Sequence, residues 1–555
     1  MSRPDWVLTG LHLAWLAGLA PTMLRFSRGL GDVRRVQARR LVSGVAANAG
    51  TAFGKEHRFS SISSVEAFRG AVPIHDYEGM LPWLLRARGG ERKVLTAQDV
   101  RFFERSGGTT SEATKLLPYT QAMLDELAAA TNPWLGGLYA RSPGLIGRPA
   151  YWSLSPAAQG ERRTEGGVAI GIDDDTAYFG PVRRFVLGRS MAVPGEVTKA
   201  RSMEAWRRET LVGLLGCRRL GFVSVWSPTF LTALVDTLCD APDDVLRDKR
   251  LSHRRREVEH ALAAGREGVG SRLWPGLGVV SCWADGPAAA GASEIRRLFP
   301  RAVIEAKGLL ATEGVVTIPW GPGRRPTLAV GSHFFEFLPV SEAKETHEVA
   351  SGVASGETVL AHELEVGRSY SPVLTTAAGL YRYHLKDVVR CEAPLEVRFV
   401  GKLENVGDLT GEKLDGVRVA AIAEAALREL AVARSGSQPV HWMMTPVPGE
   451  RVAGYGLLVD LGDDREVEAT RVGREVERRL CEGHAYRYSR EVGQLAPLSV
   501  WRLEGLRRRW LEAATAGGQR LGDIKPLSFD PRPRWASLFR QAHRVERGEC
   551  HDLRE

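Results

Sequence analysis

The chain has 555 residues, 44% of them apolar and 25% charged, and carries a formal net charge of +9. That is the composition of an ordinary globular protein with room for more than one core, and its six cysteines are too sparse for a disulfide scaffold. The basic excess favours acidic partners in general, but it lies in short runs such as Arg254-Arg255-Arg256 and Arg507-Arg508-Arg509, with Glu257 and Glu259 close by.

Such runs read as solvated helix faces. No paired Cys/His finger and no aromatic RNA-binding strand is present, so no nucleic-acid partner is expected. The opening stretch MSRPDWVLTGLHLAWLAGLAPTML is interrupted by His12 and stopped by Pro21. It falls short of the roughly 20 apolar residues that a spanning helix needs, and no small-residue cleavage site follows it. The expectation is a buried terminal helix, no stable membrane insertion, and only a weak N-terminal membrane association. Cys217, Cys239, Cys282, Cys391, Cys481 and Cys550 show no metal-ligand spacing, and free thiols fit a reducing, cytoplasmic location.

Val33, Val36 and Leu41, set among Arg34, Arg35, Arg39 and Arg40, predict a basic amphipathic helix over 30–50. Helical patterns recur at 121–131, 203–220 and 244–264. Between them lie short β-like runs: Val223 to Trp226, Val279 to Ser281, Val303-Ile304 and Val315 to Ile318. Strands alternating with long helices argue an α/β fold with parallel sheet segments. The run from Glu357 to Glu392 reads as several strands joined by polar turns, and GKLENVGDLTGEKLDG then marks a boundary near 400. A helix at 417–433, a strand at 453–461 and a helix at 465–483 complete a small α/β domain. The predicted domains are 1–400 and 401–555.

The loop SGGTTSEATKLLP begins at Ser106. Glycines let backbone N–H groups approach an oxyanion, hydroxyls add donors and a nearby ammonium neutralises charge. The order differs from the phosphate loop GxxxxGK[ST]. It resembles the phosphate-gripping loop of adenylate-forming enzymes, and in particular that of the acyl-acid amido synthetase family, the auxin-responsive acyl-adenylating enzymes of plants and their bacterial relatives. Further segments resemble that family in the same order: TAFGKEHRFSSISSVEAFRGAVPIHDYE, FVSVWSPTFLTALVDTL, LWPGLGVVSCWADG, KGLLATEGVVTIP, FFEFLP, GLYRYHLKDVV, FVGKLENVGDLTGEKL, YRYSREVGQL and GQRLGDIKP.

The resemblance implies a large N-terminal adenylation domain, holding the ATP and acyl-acid sites, and a small mobile C-terminal domain. It also implies two-step chemistry. A carboxylate attacks the α-phosphate of ATP, giving acyl-adenylate and pyrophosphate; an amine, typically an amino acid, then takes the acyl group and releases AMP. Ser106, Gly107, Gly108, Thr109 and Thr110 are implied to hold the phosphates, with Lys115 nearby. Thr312 and Glu313 line the ATP site, Glu313 facing Mg²⁺, and Tyr381 and Asp387 lie in the segment that anchors the ribose. Lys525 is implied to close over the α-phosphate, with Lys413 as the competing catalytic lysine. Relatives usually carry Gly where Lys386 stands, so this chain has more charge and less backbone freedom beside Asp387. Two alternatives stay open on the residues alone: a thiol acceptor such as coenzyme A, or a non-catalytic nucleotide-binding relative. Trp226 and Phe230 are candidates for the acyl pocket or for plain core.

Overall fold

The computed structural model describes residues 5–106, 115–153, 163–171, 188–200, 202–340, 357–403, 405–410, 412, 414–429, 441–447, 452–461, 466–516, 524 and 528–547. By contact the chain divides into two units. The first holds residues 1–285, 291–342 and 351–399, and the second 286–290, 343–350 and 400–555.

The first unit opens with α1 (Trp6–Leu30), capped by the Asp5 carboxylate accepting from the Leu8 N–H. Helix α1 does not stop at Pro21. Ala17 and Pro21 both lie on its exposed side, so the carbonyl that proline leaves without a donor faces water and the helix continues. Only one face is buried, through Leu8, His12, Trp15, Leu19 and Phe26, while Trp6, Val7, Leu13 and Leu24 are exposed. The expected buried helix is therefore half correct: α1 is long and apolar enough to cross a membrane by length and composition, and it packs one stripe on the protein. Helix α2 (Val33–Ala47) is the basic amphipathic helix and buries Val33, Gln37, Leu41 and Val45. Helix α3 (Tyr77–Arg88) follows, capped by Asp76.

Strands β1 (Phe102–Ser106) and β2 (Lys115–Tyr119) form an antiparallel hairpin from Phe102↔Tyr119 to Ser106↔Lys115. Helix α4 (Gln121–Arg141) comes next. Four strands, β3 (Ala150–Trp152), β4 (Phe222–Ser224), β5 (Val279–Cys282) and β6 (Val303–Ala306), make an all-parallel sheet in chain order with buried helices between them. The helix expected at 244–264 is broken into Pro242–Leu246, a short 3-10 turn and Arg255–Leu262. The Asp248 carboxylate accepts the Arg250 N–H at 2.9 Å, capping a new start where the periodicity alone runs on.

The larger sheet comprises β7 (Thr317–Trp320), β8 (Arg325–Leu328), β9 (Phe334–Val340), β10 (Val359–Leu360), β11 (Ser369–Thr375), β12 (Tyr383–His384), β13 (Asp387–Ala393) and β14 (Glu396–Lys402), ordered β7-β8-β14-β13-β11-β9-β10 with β12 beside β11. Its inner face packs on α1, α2 and α4 through one apolar cluster that includes Phe26, Leu41, Leu135, Ile318, Phe335 and Leu374. A buried ion cluster pins β9 to the segment before β12. Glu336 accepts from Arg382 at 3.0 Å through each oxygen, from Arg69 at 2.9 Å and from Thr358 Oγ1 at 2.6 Å.

The second unit has its own core. Helices α5 (Gly416–Glu429) and α6 (Glu466–Leu480) lie with strands β15 (His441–Pro446), β16 (Tyr455–Asp460), β17 (Ser499–Arg502) and β18 (His543–Arg547), which form a sheet in that order. Val419, Ala426, Met444, Leu457, Val472 and Val500 are among the residues packed between helices and sheet. The helices and strand expected after 415 are all present among the described residues, the first of them helical through Glu429, with 430–433 outside the described residues.

Candidate active site

The β1/β2 hairpin fixes the two ends of the hydroxyl-rich loop, because Ser106 and Lys115 face each other at its open end. Gly107, Gly108, Thr109 and Thr110 lie outside the described residues. Lys115 Nζ sits 5.1 Å from the ring centroid of Tyr77, at the start of α3, a cation–π distance. The Tyr77 hydroxyl accepts the Leu116 N–H at 3.3 Å.

Thr312 and Glu313 are the two turn residues of a tight hairpin in which Ala311 pairs with Gly314 and Leu310 with Val315. That hairpin is anchored from below. The Val315 N–H donates to His333 Nε2 at 3.1 Å, which leaves Nδ1–H to donate to Glu126 on α4 at 2.8 Å. Glu126 also accepts from Ala377 N–H and Arg40, each at 2.8 Å. A Cβ on Gly314 would stand 2.8 Å from His333 Nε2, so the close approach needs glycine. From the other side the Tyr119 hydroxyl donates to the Thr312 carbonyl at 2.7 Å.

These supports bring Glu313 beside Ser106, whose Oγ lies 3.5 Å from Oε1. Two phenols share the carboxylate's surroundings. Burial raises the Tyr119 pKa, with Glu104 and Glu313 adding to it; burial and then Glu313, Glu78 and Asp76 do the same for Tyr383. Both phenols are therefore neutral donors at any physiological pH. Sequence reasoning missed Tyr77, Tyr119 and Tyr383. The only signal for them was their position within, or just beside, segments already singled out.

Asp387 opens β13 and is 4% exposed. Ser371 Oγ donates to its backbone carbonyl at 2.7 Å and pairs with the buried His384 Nε2 at the same distance. Lys386 has φ +59°, the left-handed region that glycine adopts freely. The usual glycine at this position thus has a conformational reason, and here Lys386 adopts the same backbone while its Nζ reaches Asp76 Oδ2 at 3.1 Å. Tyr381 is not brought to the cluster. It is buried, stacks on Phe53 at 4.8 Å and donates its hydroxyl to the Leu95 carbonyl at 2.7 Å. Phe230 is buried core, and Trp226 is half-buried beside β4.

Lys413 and Lys525 lie outside the described residues. Their neighbours are well held: Glu412 accepts from the N–H groups of Leu409 and Thr410 at 2.8 and 2.7 Å and from the Tyr455 hydroxyl, and Ile524 is buried.

For Mg²⁺, the donor set of hard oxygens fits. Glu313 is half-exposed, the Ser106 hydroxyl stands beside it, and a phosphate-bound Mg²⁺ needs only one or two protein carboxylates. No group of three or more ligating side chains exists among the described residues, so a dedicated all-protein cage is absent there.

Comparison with known proteins places these elements in context. A model described as the GH3 family N-terminal domain matches residues 23–253, and one described as the GH3 family central domain matches 326–402. Together they span more than half of the chain. Indole-3-acetic acid-amido synthetase GH3.8 of Oryza sativa subsp. indica is 24% identical over 527 residues, 84% of this chain and 83% of its own length. A human GH3 domain-containing protein is 35% identical over 176 residues, 30% of this chain and 31% of its own length. A solved structure of AtGH3.15 acyl acid amido synthetase in complex with 2,4-DB superposes with a TM-score of 0.79 at 16% identity, covering 96% of this chain and 98% of that one.

Proposed function

The chain belongs to the GH3 family, and from that premise we propose that it is an ATP-dependent acyl-acid amido synthetase: an amide-forming ligase that activates a small carboxylic acid as acyl-AMP and passes the acyl group to an amine, in the first instance an amino acid. The observation that carries this reading is the convergence of Ser106 and Glu313, 3.5 Å apart, at the base of the hydroxyl-rich loop. Two remote segments meet there, with Lys115 at the loop's other end and neutral phenols around the carboxylate.

In this reading the loop from Ser106 to Thr110 and Lys115 supply donors and positive charge to the phosphates as negative charge shifts toward the leaving pyrophosphate. Mg²⁺, held by Glu313, would neutralise further phosphate charge. Thr312 shapes the turn that presents Glu313. Asp387 accepts from ribose hydroxyls, as carboxylates do in dinucleotide folds. Tyr381 acts through its backbone and the core rather than through its hydroxyl. Lys525 serves as the catalytic lysine of adenylation, with Lys413 the competing candidate for that role. The site is expected to work in the cytoplasm, with α1 giving no more than weak attachment to membranes, which co-sedimentation with vesicles checks.

The test is ATP–pyrophosphate exchange across a panel of carboxylic acids, followed by an amine panel on the best acid. Acid-dependent exchange and amine-dependent AMP release are expected. Absence of exchange with every acid, or turnover only with a thiol acceptor, overturns the reading.

A further inference from the structure

The carboxyl ends of β3, β4, β5 and β6 stand level, since Trp152 pairs with Ser224, Ser224 with Ser281 and Ser281 with Glu305. Ligands of open parallel sheets gather at that edge. Lys307 is the first residue past β6, and it is 4% exposed. Its Nζ donates to Ser224 Oγ at 2.6 Å. It lies 5.0 Å from the ring centroids of Trp134 and Trp226 and 5.9 Å from that of Trp152.

No carboxylate forms an ion pair with Lys307 among the described residues. Glu305, the nearest candidate in sequence, is taken by Trp134 Nε1 at 2.8 Å, Arg324 at 3.0 Å and Arg141 at 3.1 Å. Indole faces offset part of an ammonium's charge, but Lys307 has three N–H donors and among the described residues only Ser224 accepts one. Trp152 and Trp226 are half-exposed, and Trp226 stands 5.9 Å from the half-exposed Trp283, so the cage has an aromatic rim. Glu313 follows six residues later, within about 20 Å of fully extended chain. Gly308, at φ +78° with Thr317 carbonyl 2.6 Å from where a Cβ would sit, turns the chain between them.

We propose that Lys307 and its tryptophan cage form the acid-recognition subsite, and that it selects planar or aromatic acids carrying an oxygen acceptor, a hydroxyl, keto or second carboxylate group, away from the carboxylate that is activated. The indoles of Trp152 and Trp226 receive the apolar body and the ammonium donates to the acceptor. This rests on the synthetase reading above. A structural role explains the lysine poorly, because a buried ammonium lacking a carboxylate lowers stability, and an unbranched apolar side chain of similar length would fill the space better.

The test is ATP–pyrophosphate exchange by the full chain with paired acids: benzoate against its three monohydroxy derivatives, and phenylacetate against 4-hydroxyphenylacetate. The wild type is expected to favour the best hydroxy acid by about tenfold or more in kcat/KM, since an unfilled buried donor penalises the analogue lacking its partner. Lys307→Met should shrink that preference to within about threefold, leave the KM for ATP unchanged, and keep or raise the Tm. Burial, opposed by Cys282 and Glu305, brings the Lys307 ammonium down to about 8, so the wild-type preference should also fade above pH 8. Should Lys307→Met not fold, Ser224→Ala, which removes the ammonium's one oxygen acceptor among the described residues, is expected to alter the preference in its place. An unaltered preference in the variant that folds, or a wild type indifferent within every pair, overturns this proposal alone. No exchange with any acid overturns the synthetase reading and this proposal with it.

Discussion

Lys386→Gly tests whether the left-handed backbone beside Asp387, rather than the lysine itself, is what the site needs. At φ +59° a non-glycine residue carries roughly 1 kcal/mol of strain. Glycine relieves it, but makes the unfolded chain more flexible, which costs about 0.7 kcal/mol. It also removes the ion pair to Asp76, whose side chains are each 25% exposed, a contact worth about 0.5 kcal/mol after solvent screening. The three terms nearly cancel, so Lys386→Gly should stay within about 1 kcal/mol of the wild type and move the Tm by no more than about 2 °C in a unit this large. Lys386→Val keeps the strain, adds branching at Cβ and loses the ion pair, and should cost about 2 kcal/mol or more. Urea denaturation followed by tryptophan fluorescence measures both, and the KM for ATP of the glycine variant should hold within about twofold. A glycine variant that loses more than about 2 kcal/mol, or weakens ATP tenfold, would refute the reasoning by showing that the ammonium itself does the work.

Lys525→Ala should lower ATP–pyrophosphate exchange by orders of magnitude while leaving the fold intact by circular dichroism, and wild-type exchange in that variant would transfer the role to Lys413. Glu313→Gln keeps the shape and removes the charge; exchange should fall by about tenfold or more and recover in part as Mg²⁺ is raised, with the Tm little changed because Glu313 is half-exposed. His12, on the inner face of α1, is held at about 4 by burial, against the pull of Asp5. As pH falls from 6.5 towards 4 the unfolded chain takes up the proton first, so stability present above pH 6.5 should drop by up to about 3 kcal/mol. Hydrogen exchange of the α1 amides against pH checks this, and His12→Asn should flatten the profile.

The parts of this fold that read well from the sequence are those set by local periodicity. The parallel strands appear within a few residues of their apolar runs because β4 and β5 are covered on both faces and need little beyond Val and Phe, while β6, at the sheet edge with Val303 exposed, keeps the same apolar start. Proline misled at Pro21 because its cost depends on whether water reaches the freed carbonyl, which only the tertiary structure decides. The pattern over 244–264 misled because the Asp248 cap interrupts it without disturbing its hydrophobic period. Within the site, resemblance supplied Ser106 and Glu313 but could not separate Tyr381 from Tyr383: two residues apart, one phenol donates to the Leu95 carbonyl and the other lies within the field of Glu313. Lys307 was legible only as a lysine in a motif, since its cage is assembled from Trp134, Trp152 and Trp226, which lie far from it in the chain.

The Glu336–Arg382 cluster ties two distant stretches of sequence to a common fate. Shortening Glu336 strands the Arg382 charge out of reach of water, a penalty of about 3 to 5 kcal/mol, whereas shortening Arg382 leaves Glu336 with the half-exposed Arg69 as its remaining cation. Loss of the Glu336 carboxylate also takes this acceptor from Arg69 and Thr358. A viable change at position 336 therefore has to arrive together with one at 382, and a library that randomises 336 while fixing 382 should return almost no folded variants.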